Sequence, residues 1–472
     1  MKNFSSKAIK ASMFYMVGNL FDKAIAFITI PIFTRMLSTS EYGILNTYTS
    51  WVSIFAIIVG LSLGQTLRSA YYEKKGELES YLSSIYTLAI IDFVITVFVA
   101  LIISLFFDFQ ITRFMLVLCV SQSFMQFVRD TYAMKLMMAM NYVKRTLVLA
   151  VPNILVAILS IVFIWFMDND KYMGRIYAYV LVYAFITLIC LISQFYKGKV
   201  LVNKSYWKYG LSLSLPLILH SISCVILSNS DRIMITKFTN ASETGIYSLI
   251  YNMSMMTTVI TSSFENVWIP WFSEKMNVGE LKSINHAVFP YIFGTSALVA
   301  GVMFVCPEAL MVLAPKTYWG GKYMIPPLMC AVFITFLYTI SVNLEYYKKS
   351  TKTIAKNTMI AASTNIVLNF IFIPQFGAVA AAYTTLASYI ISFVLHYIDG
   401  KHLNKELFPI KSYVLPLVMV TACVGIYYLF IDLLIVRWIA AVAYFVLVVL
   451  VLWRKNMLPK EVTDKIRFRK GE

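Results

Sequence analysis

Two cationic side chains stand inside long apolar stretches of the sequence. Lys23 lies near the middle of the first apolar run and Arg232 lies in the seventh. A charge at the centre of a membrane-spanning helix costs roughly 2.5–3.5 kcal/mol on insertion scales, so it persists where it faces a wet cavity or a partner. One cation in each half of the chain would hold an anion from both sides. The alternative for Lys23 is a pairing with an acid on another helix.

The residues next to Lys23 indicate which face of its helix is polar. Asn19 lies one helical turn before Lys23, on the same face. Asp22 is the direct neighbour of Lys23 but projects about 100° away around the helix, so the two side chains need not pair. We therefore expect Asn19 and Lys23 to line one surface together and treat Asp22 as a separate charge-pair or ion-coupling candidate.

Arg232 follows a polar stripe in the seventh run. The stripe consists of residues at spacings of three, four and three: Ser221, Cys224, Ser228 and Asp231. A stripe with helical spacing faces water or another polar helix rather than lipid. The planar guanidinium of Arg232 can bond two oxygens of one anion at once. The alternative is an Asp231–Arg232 pair that fixes packing.

Other polar residues within apolar runs have two readings each. Asp92 and Glu265 are candidate proton or sodium sites, since burial raises the pKa of a carboxyl towards neutrality; otherwise they make polar or interfacial contacts. Asn365 and Asn369, one turn apart, either bond between helices or line a cavity. Glu345 is expected at the membrane interface. The four histidines are scattered singly and no C-x-x-C occurs, so no metal site is indicated.

The elements that must position these residues are membrane-spanning helices. Of the 472 residues 60% are hydrophobic and 13% are charged, against roughly 25% charged in a soluble domain. The apolar residues form runs of about 20, the length that a helix needs to cross the bilayer core. We predict an all-α membrane protein with about fourteen transmembrane helices, near 11–34, 44–66, 83–106, 114–134, 147–167, 175–196, 209–234, 246–270, 287–313, 323–345, 356–375, 378–398, 412–432 and 435–454.

Charge distribution predicts the orientation of these spans. Cytoplasmic loops of membrane proteins carry an excess of lysine and arginine. With the N-terminus in the cytoplasm, the inner loops and the tail carry most of the 40 basic residues, and a missed span would spoil that pattern. Arg437 is expected on the outer side. The net charge of +17 therefore reflects topology, and no nucleic-acid partner is expected.

An internal repeat divides the chain into two halves. Its first copy contains Thr34, Ser40, Glu41, Gly43 and Ile44, and these recur at a constant separation as Thr236, Ser242, Glu243, Gly245 and Ile246. Both copies end an odd-numbered span and begin the next one. We predict a six-helix N-terminal lobe over 1–200, a six-helix C-terminal lobe over 201–400, and two further helices with a basic cytoplasmic tail over 401–472. Duplicated halves are common in transporters, with the substrate near the midplane between them.

Three ordered motifs carry a resemblance to a known family. They are Leu37-Ser-Thr-Ser-Glu-Tyr-Gly43, then Asp231-Arg232 followed by Glu243-Thr-Gly-Ile-Tyr247, then Asn365-Ile-Val-Leu-Asn369 followed by Ile373-Pro-Gln-Phe-Gly377. With the span number and loop lengths, this set resembles the polysaccharide-type flippases of the multidrug/oligosaccharidyl-lipid/polysaccharide exporter superfamily. The resemblance covers about residues 5–400, and Ala380 stands where the family usually has a second glycine.

The resemblance implies a function, which we state as an expectation. Flippases of this type move undecaprenyl-diphosphate-linked O-antigen or capsule repeat units to the outer leaflet by alternating access. It implies a V-shaped pair of lobes around a cationic cavity, with Lys23, Arg232, Asn19, Asn365 and Asn369 as substrate-binding candidates. Asp22, Asp92, Asp231 and Glu265 remain ion-coupling or charge-pair candidates. The expected partners are membrane lipid, the lipid-linked oligosaccharide, and polysaccharide polymerase and chain-length machinery, in the bacterial cytoplasmic membrane.

Other functions fit the sequence less well. A membrane glycosyltransferase or polymerase would need long outer loops or a soluble domain, and no nucleotide-binding or nucleophile motif is present, so we expect no enzyme. Without an ATP site, and with no cofactor expected, movement would draw on a proton or sodium gradient or on substrate gradients. A multidrug antiporter of the same superfamily, a flippase of a lipid-linked peptidoglycan precursor and an assembly scaffold stay open as alternatives.

Overall fold

The computed structural model describes Ile25 and residues 27–454, and leaves out six side chains within them. These are the side chains of Pro216, Leu217, Leu219, His220, Leu452 and Trp453. Lys23, Asn19 and Asp22 lie outside the described residues. Nearly all of the described chain is helical, and no strand occurs in it. The prediction of an all-α membrane protein is confirmed.

Fourteen α-helices follow one another in the described part of the chain. Predicted spans three to fourteen each lie mainly on one of them, and α12 contains two, whereas the second, 44–66, covers α2 and the 3-10 turn Leu63–Thr66. The helices are α1 (Phe27–Met36), α2 (Thr39–Ile58), α3 (Leu67–Glu73), α4 (Leu78–Ile103), α5 (Arg113–Met138), α6 (Tyr142–Phe166), α7 (Tyr172–Gly198), α8 (Lys204–Phe238), α9 (Ala241–Asn277), α10 (Leu281–Leu313), α11 (Ile325–Tyr347), α12 (Thr351–Leu403), α13 (Lys411–Leu429) and α14 (Leu434–Arg454).

Length and hydropathy single out eight of these described segments as able to cross a membrane, or nine if α2 and α3 form one broken span. The axes of α2 and of the segment Leu63–Glu73, which contains α3, differ by 51°. The break lies at Gly60, Leu61 and Ser62, which have φ values of 79°, 49° and 53°. A side chain at Gly60 would meet the Phe127 ring at 2.4 Å, so only glycine fits there. The single span expected over 44–66 is therefore bent.

The chain divides into two compact units. The first contains α1 to α8, the beginning of α9 up to Ser248, Leu313–Tyr318 and Ala362–Ala381. In this unit α6 packs along α7, and α2 packs against both α5 and α8. The second contains Leu249–Val312, Trp319–Ala361 and the residues from Ala382 onward. There α13 packs against α11 and α14, and α11 is buried along most of its length.

The two copies of the repeat meet inside the first unit. A Cβ on Gly43 would lie 1.7 Å from the Ala241 carbonyl oxygen, and one on Gly245 would lie 2.1 Å from that of Thr39. The starts of α2 and α9 thus cross with their backbones in contact, as small residues allow in membrane proteins. The Thr39 and Ser242 hydroxyls lie 2.6 Å apart beside this crossing. The repeat predicted that these segments are equivalent but not that they touch.

Candidate functional site

A buried polar cluster in the first unit joins α8 to the first half of α12. The α8 helix contributes Ser230, Asp231 and Arg232, and α12 contributes Asn365 and Asn369. All five side chains are buried. Asn365 and Asn369 are four residues apart and therefore lie on one helix face. Four of the sequence candidates are thus close together in the fold.

Asp231 lies at the centre of this cluster. Its Oδ2 accepts a hydrogen bond of 2.5 Å from the Tyr247 hydroxyl, and its Oδ1 accepts one of 2.6 Å from Asn369 Nδ2. Both carboxylate oxygens are therefore bound by uncharged donors from other helices. Hydrogen bonds of this kind offset the cost of burying a carboxylate.

The two asparagines connect the helices in this structure. The Ser230 hydroxyl donates to Asn365 Oδ1 at 2.8 Å, and Asn369 Nδ2 donates to the same oxygen at 3.1 Å. Asn365 Nδ2 is buried and has no hydrogen-bond partner among the described residues. The sequence left two interpretations for these residues, hydrogen bonds between helices or the lining of a cavity. The structure shows the hydrogen bonds between helices.

Arg232 is held by uncharged oxygens around its guanidinium. Nε donates to Ser248 Oγ at 3.2 Å, and Nη1 donates to the Ser228 carbonyl and to Asn229 Oδ1, both at 3.2 Å. The side chain is 7% exposed. Five fixed donors in a planar group suit binding of phosphate oxygens. In this structure three of those donor positions are already used within the protein.

Asp92 supports the break between α2 and α3. Its Oδ2 accepts a 2.7 Å hydrogen bond from the backbone N–H of Gly60. Backbone groups released by a helix break inside a membrane need such a partner. Asp92 therefore makes a polar contact, which was one of the two interpretations of the sequence. A role of Asp92 in ion coupling stays a prediction.

Glu265 lies on α9 in the second unit and contacts α11. Its Oε1 accepts a 2.7 Å hydrogen bond from the Thr339 hydroxyl. The residue is half-buried. Its assignment as a proton or sodium site stays a prediction.

Two side-chain pairs of the second unit were missed by the sequence reasoning. His396 Nδ1 lies 2.9 Å and 3.1 Å from the two oxygens of Glu345, and both side chains are buried. Arg437, which is buried, donates to Glu308 and to the Ile431 carbonyl. Glu345 is thus buried within the protein near the end of α11, and its position at the membrane interface stays a prediction. The partners are far apart in sequence, so no spacing pattern indicated them.

The described residues offer no site for a metal ion. Within 27–454, no group of three or more histidine, cysteine, aspartate or glutamate side chains is placed to hold one. The polar cluster described above is built instead from hydrogen-bonding amides and hydroxyls, one carboxylate and one guanidinium. In such a set the guanidinium can bind an anion, and the hydrogen bonds between helices can carry a conformational contact.

The family to which the chain belongs is decided by a match over more than half its length. The family model described as "Polysaccharide biosynthesis protein" matches residues 8–276. This chain belongs to the polysaccharide biosynthesis protein family. The matched region includes both copies of the repeat and the Asp231-Arg232 sequence, whereas Asn365 and Asn369 lie beyond it. The resemblance predicted from the motifs is confirmed.

Two relatives of this chain come from different organisms. Protein 1 of the Lsg locus of Haemophilus influenzae is 25% identical over 403 residues, which cover 79% of this chain and 95% of that protein. A membrane protein of Methanocaldococcus jannaschii is 21% identical over 447 residues, which cover 86% of this chain and 87% of that protein. The similarity therefore extends well past the region matched by the family model.

Solved structures with the same fold are membrane transporters. The lipid II flippase MurJ in an inward closed conformation aligns with a TM-score of 0.68 at 15% identity, over 94% of this family member and all of that chain. An inward-facing multidrug transporter of the MATE family, in the MOP superfamily, aligns with a TM-score of 0.60 at 12% identity, over 81% and 96%. At such identities the likeness establishes the fold.

Proposed function

We propose that this protein moves a lipid-linked oligosaccharide from the cytoplasmic to the outer leaflet of the bacterial cytoplasmic membrane. The carrier lipid is undecaprenyl diphosphate, and the repeat unit serves O-antigen, capsule or a related surface polysaccharide. The observation that carries the proposal is a fold shared over 94% of the chain with a lipid II flippase, in a member of the polysaccharide biosynthesis protein family. The protein then acts as a transporter and not as an enzyme.

The proposed mechanism is alternating access of two six-helix lobes, 1–200 and 201–400, with both chain termini in the cytoplasm. Lys23 and Arg232 bind the diphosphate, and Asn19, Asn365 and Asn369 line or orient that site. Since the Arg232 guanidinium bonds oxygens of α8 and α9, binding requires those hydrogen bonds to be exchanged for phosphate oxygens. Such an exchange couples substrate binding to movement of α8 and α9.

Ion coupling is assigned to the carboxylates within the spans. Asp22, Asp92, Asp231 and Glu265 are the candidates, and protons or sodium ions are the candidate ions. Asp231 and Asp92 already accept hydrogen bonds from donors that a proton on the carboxyl would disturb. Protonation would therefore alter the α8–α12 contact or the α2–α3 break. Polysaccharide polymerase and chain-length machinery are the proposed partners that use the product.

The experiment measures how fast a labelled undecaprenyl-diphosphate glycan moves between leaflets in proteoliposomes that contain the purified protein. We expect Arg232→Gln to slow the appearance of glycan in the opposite leaflet by at least tenfold, and Arg232→Lys to retain an intermediate rate. Arg437→Gln is the matched control, because it also removes a buried arginine but one outside the cluster. Lys23→Ala should behave like Arg232→Gln.

The control separates loss of function from loss of folding. If Arg437→Gln slows flipping as much as Arg232→Gln at equal amounts of folded protein, the cationic site is contradicted. If the wild-type protein moves no glycan, the flippase proposal itself fails. The likeness to a MATE transporter makes drug efflux the second function to assay, with organic cations as substrates.

A further inference from the structure

The second unit contains a carboxylate–imidazole pair that the proposed mechanism does not use. Glu345 lies on α11 and His396 lies on the second half of α12, and their side chains are 0% and 1% exposed. His396 Nδ1 lies 2.9 Å from Oε2 and 3.1 Å from Oε1 of Glu345. Two titratable side chains thus share one buried contact between two helices.

Glu345 has few hydrogen-bond donors for a buried carboxylate. Among the described residues, only His396 Nδ1 bonds its two oxygens. The carboxylate of Asp231, by contrast, accepts hydrogen bonds from two separate side chains. An ionised carboxylate offers about four acceptor positions, and a buried charge persists where hydrogen bonds or an opposite charge compensate it. One N–H of a neutral imidazole does not compensate the charge of Glu345, so the pair requires a second proton.

The second proton has a defined place on the imidazole. When Nδ1–H donates to the carboxylate, Nε2 is the basic nitrogen of the neutral ring. A proton on Nε2 gives an imidazolium beside a carboxylate, and the pair as a whole is then neutral. Removing that proton leaves one net negative charge between two side chains that are buried from water.

The pair lies where α11 and α12 pack closely. The rings of Tyr338 and His396 stack with centroids 5.6 Å apart, and the Tyr389 ring stacks 6.4 Å from that of Tyr338. One helical turn from the pair on each helix, a Cβ on Gly400 would lie 3.4 Å from the Ser341 Cβ. Small residues allow such close approach between membrane helices. A change in charge at the pair therefore acts on a tight contact between helices.

Other ionisable groups on the surrounding elements bond elsewhere. On α12, Asp399 accepts a 2.7 Å hydrogen bond from Asn357, and Lys401 donates to backbone carbonyls beyond the helix. On α9, Glu265 accepts a hydrogen bond from Thr339. Further along α11, α12 and α13 lie the exposed side chains of Lys348, Lys349 and His402 and the phenols of Tyr338, Tyr389, Tyr397 and Tyr413. In the described part of the chain, no further charged side chain bonds the pair.

We propose that Glu345 and His396 form a binding site for one proton, and that its occupancy holds α11 and α12 together at this end of the second unit. With the proton bound, the pair is neutral and remains buried. Without it, separation of the helices lets water reach the carboxylate and relieves the cost of its burial. Two ligating groups are too few for a metal ion, which takes four or more ligands.

The site lies near one end of both helices. Glu345 is two residues before the end of α11, and His396 is seven residues before the end of α12. Lys348 and Lys349 follow α11 and are exposed, and the positive-inside rule puts this end on the cytoplasmic side. In the proposed flippase, cytoplasmic pH would then set how readily the second unit rearranges. That consequence rests on the proposed function, whereas proton binding does not.

The test is hydrogen–deuterium exchange of the full-length protein in nanodiscs, without substrate, at about pH 5 and about pH 8, the range in which histidine titrates. Exchange is read on peptides within 338–350 and 390–403, after correction for the chemical effect of pH on exchange. His396→Gln leaves the carboxylate with an uncharged partner. Adding Glu345→Gln replaces both groups with neutral amides that still form a hydrogen bond. The matched control combines Arg437→Gln with Glu308→Gln, because that pair also joins two helices of the second unit.

We expect the wild-type peptides to exchange at least about tenfold faster at the higher pH, because removing one charge of a buried pair opens the contact. At that pH, His396→Gln should exchange at least as fast as the wild-type protein. The double variant of Glu345 and His396 should exchange slowly at both pH values, and the control should keep the wild-type response. Restoration by a second substitution distinguishes charge from packing, and the wild-type and double-variant comparison carries the test if His396→Gln does not fold.

Three results would overturn the proton site. They are wild-type exchange that does not change with pH, a double variant of Glu345 and His396 that keeps the wild-type response, and a control that loses it. Sodium chloride that slows wild-type exchange at about pH 8 as much as acid does would assign a sodium ion instead of a proton. Because no substrate is present, a failure of flipping in proteoliposomes does not alter these results, and the two proposals fail separately.

Discussion

Each copy of the repeat contains a glutamate that accepts a hydrogen bond from a backbone N–H of a later helix. The two later helices differ in how they begin at that N–H. In the first copy, Glu41 Oε1 accepts a 2.9 Å hydrogen bond from the backbone N–H of Lys171, just before α7 begins. In the second, Glu243 Oε2 accepts a 2.8 Å bond from the N–H of Ala378, within α12. Each glutamate thus caps a later helix as well as lying in the first turn of its own.

The difference between the copies lies in how the chain reaches the capped N–H. A loop leads from α6 into α7, whereas α12 runs on through Gly377, whose φ of 63° and ψ of −151° interrupt the helix. A Cβ on Gly377 would lie 2.5 Å from Glu243 Oε2. In the first copy, the N–H that the glutamate caps follows a loop. In the second copy, the non-helical Gly377 takes the place of that loop and exposes the N–H of Ala378 to Glu243. The comparison predicts that replacing the glycines of the repeat lowers the free energy of unfolding more than replacing its glutamates does.

The largest effect is expected where the copies touch. Gly43→Ala and Gly245→Ala should each lower the free energy of unfolding by about 3 kcal/mol, because each Cβ would overlap a backbone carbonyl that cannot rotate away. The measurement is unfolding of detergent-purified protein. Gly76→Ala is the control, since its Cβ would meet nothing within 4 Å. Equal stability of all three variants would show that the helix crossing is looser than described.

A smaller effect is expected at the interruption of α12. Gly377→Ala should cost about 2 kcal/mol, from the positive φ and the contact with Glu243 together. Gly279→Ala shares the positive φ, 75°, but its Cβ would lie in open space. It should cost about 1 kcal/mol. The difference between the two unfolding free energies measures the contact alone, and a reversed order would contradict the role given to Glu243.

A smaller difference in stability, about 1 kcal/mol, is expected between the variants of the two glutamates. Glu243→Ala leaves the N–H of buried Ala378 without its acceptor and should cost about 2 kcal/mol. Glu41→Ala should cost about 1 kcal/mol, because Lys171 is partly exposed and water can replace the carboxylate. Exposed Glu274→Ala is the control. Stability measured in the same detergent should rank the three in that order, and a larger loss for Glu41 would reverse the comparison.

Helix positions could be predicted from the sequence because hydropathy is read over about 20 consecutive residues. Even the interruption of α12 lies between the predicted spans 356–375 and 378–398, at Gly377. The bend after Ile58 could not be predicted, since it depends on Asp92 and Phe127 from other helices. The pairs Glu345–His396 and Arg437–Glu308 were missed for the same reason, because a pairing across helices leaves no periodic signal.

The candidate site could be predicted in part. Asp231, Asn365 and Asn369 were selected for being polar within apolar runs, and the structure brings all three into one hydrogen-bonded cluster. Their partner Tyr247 could not be found that way, since a tyrosine in a membrane helix is usually interfacial.

The measurement that tests the central claim most directly is the leaflet location of lipid-linked oligosaccharide in cells depleted of this protein. Access of added glycosidases or lectins in intact cells and in inverted vesicles reports which leaflet holds the repeat units. The flippase account predicts that they accumulate on the cytoplasmic leaflet while surface polysaccharide falls. Repeat units that still reach the outer leaflet and polymerise at the normal rate would contradict it.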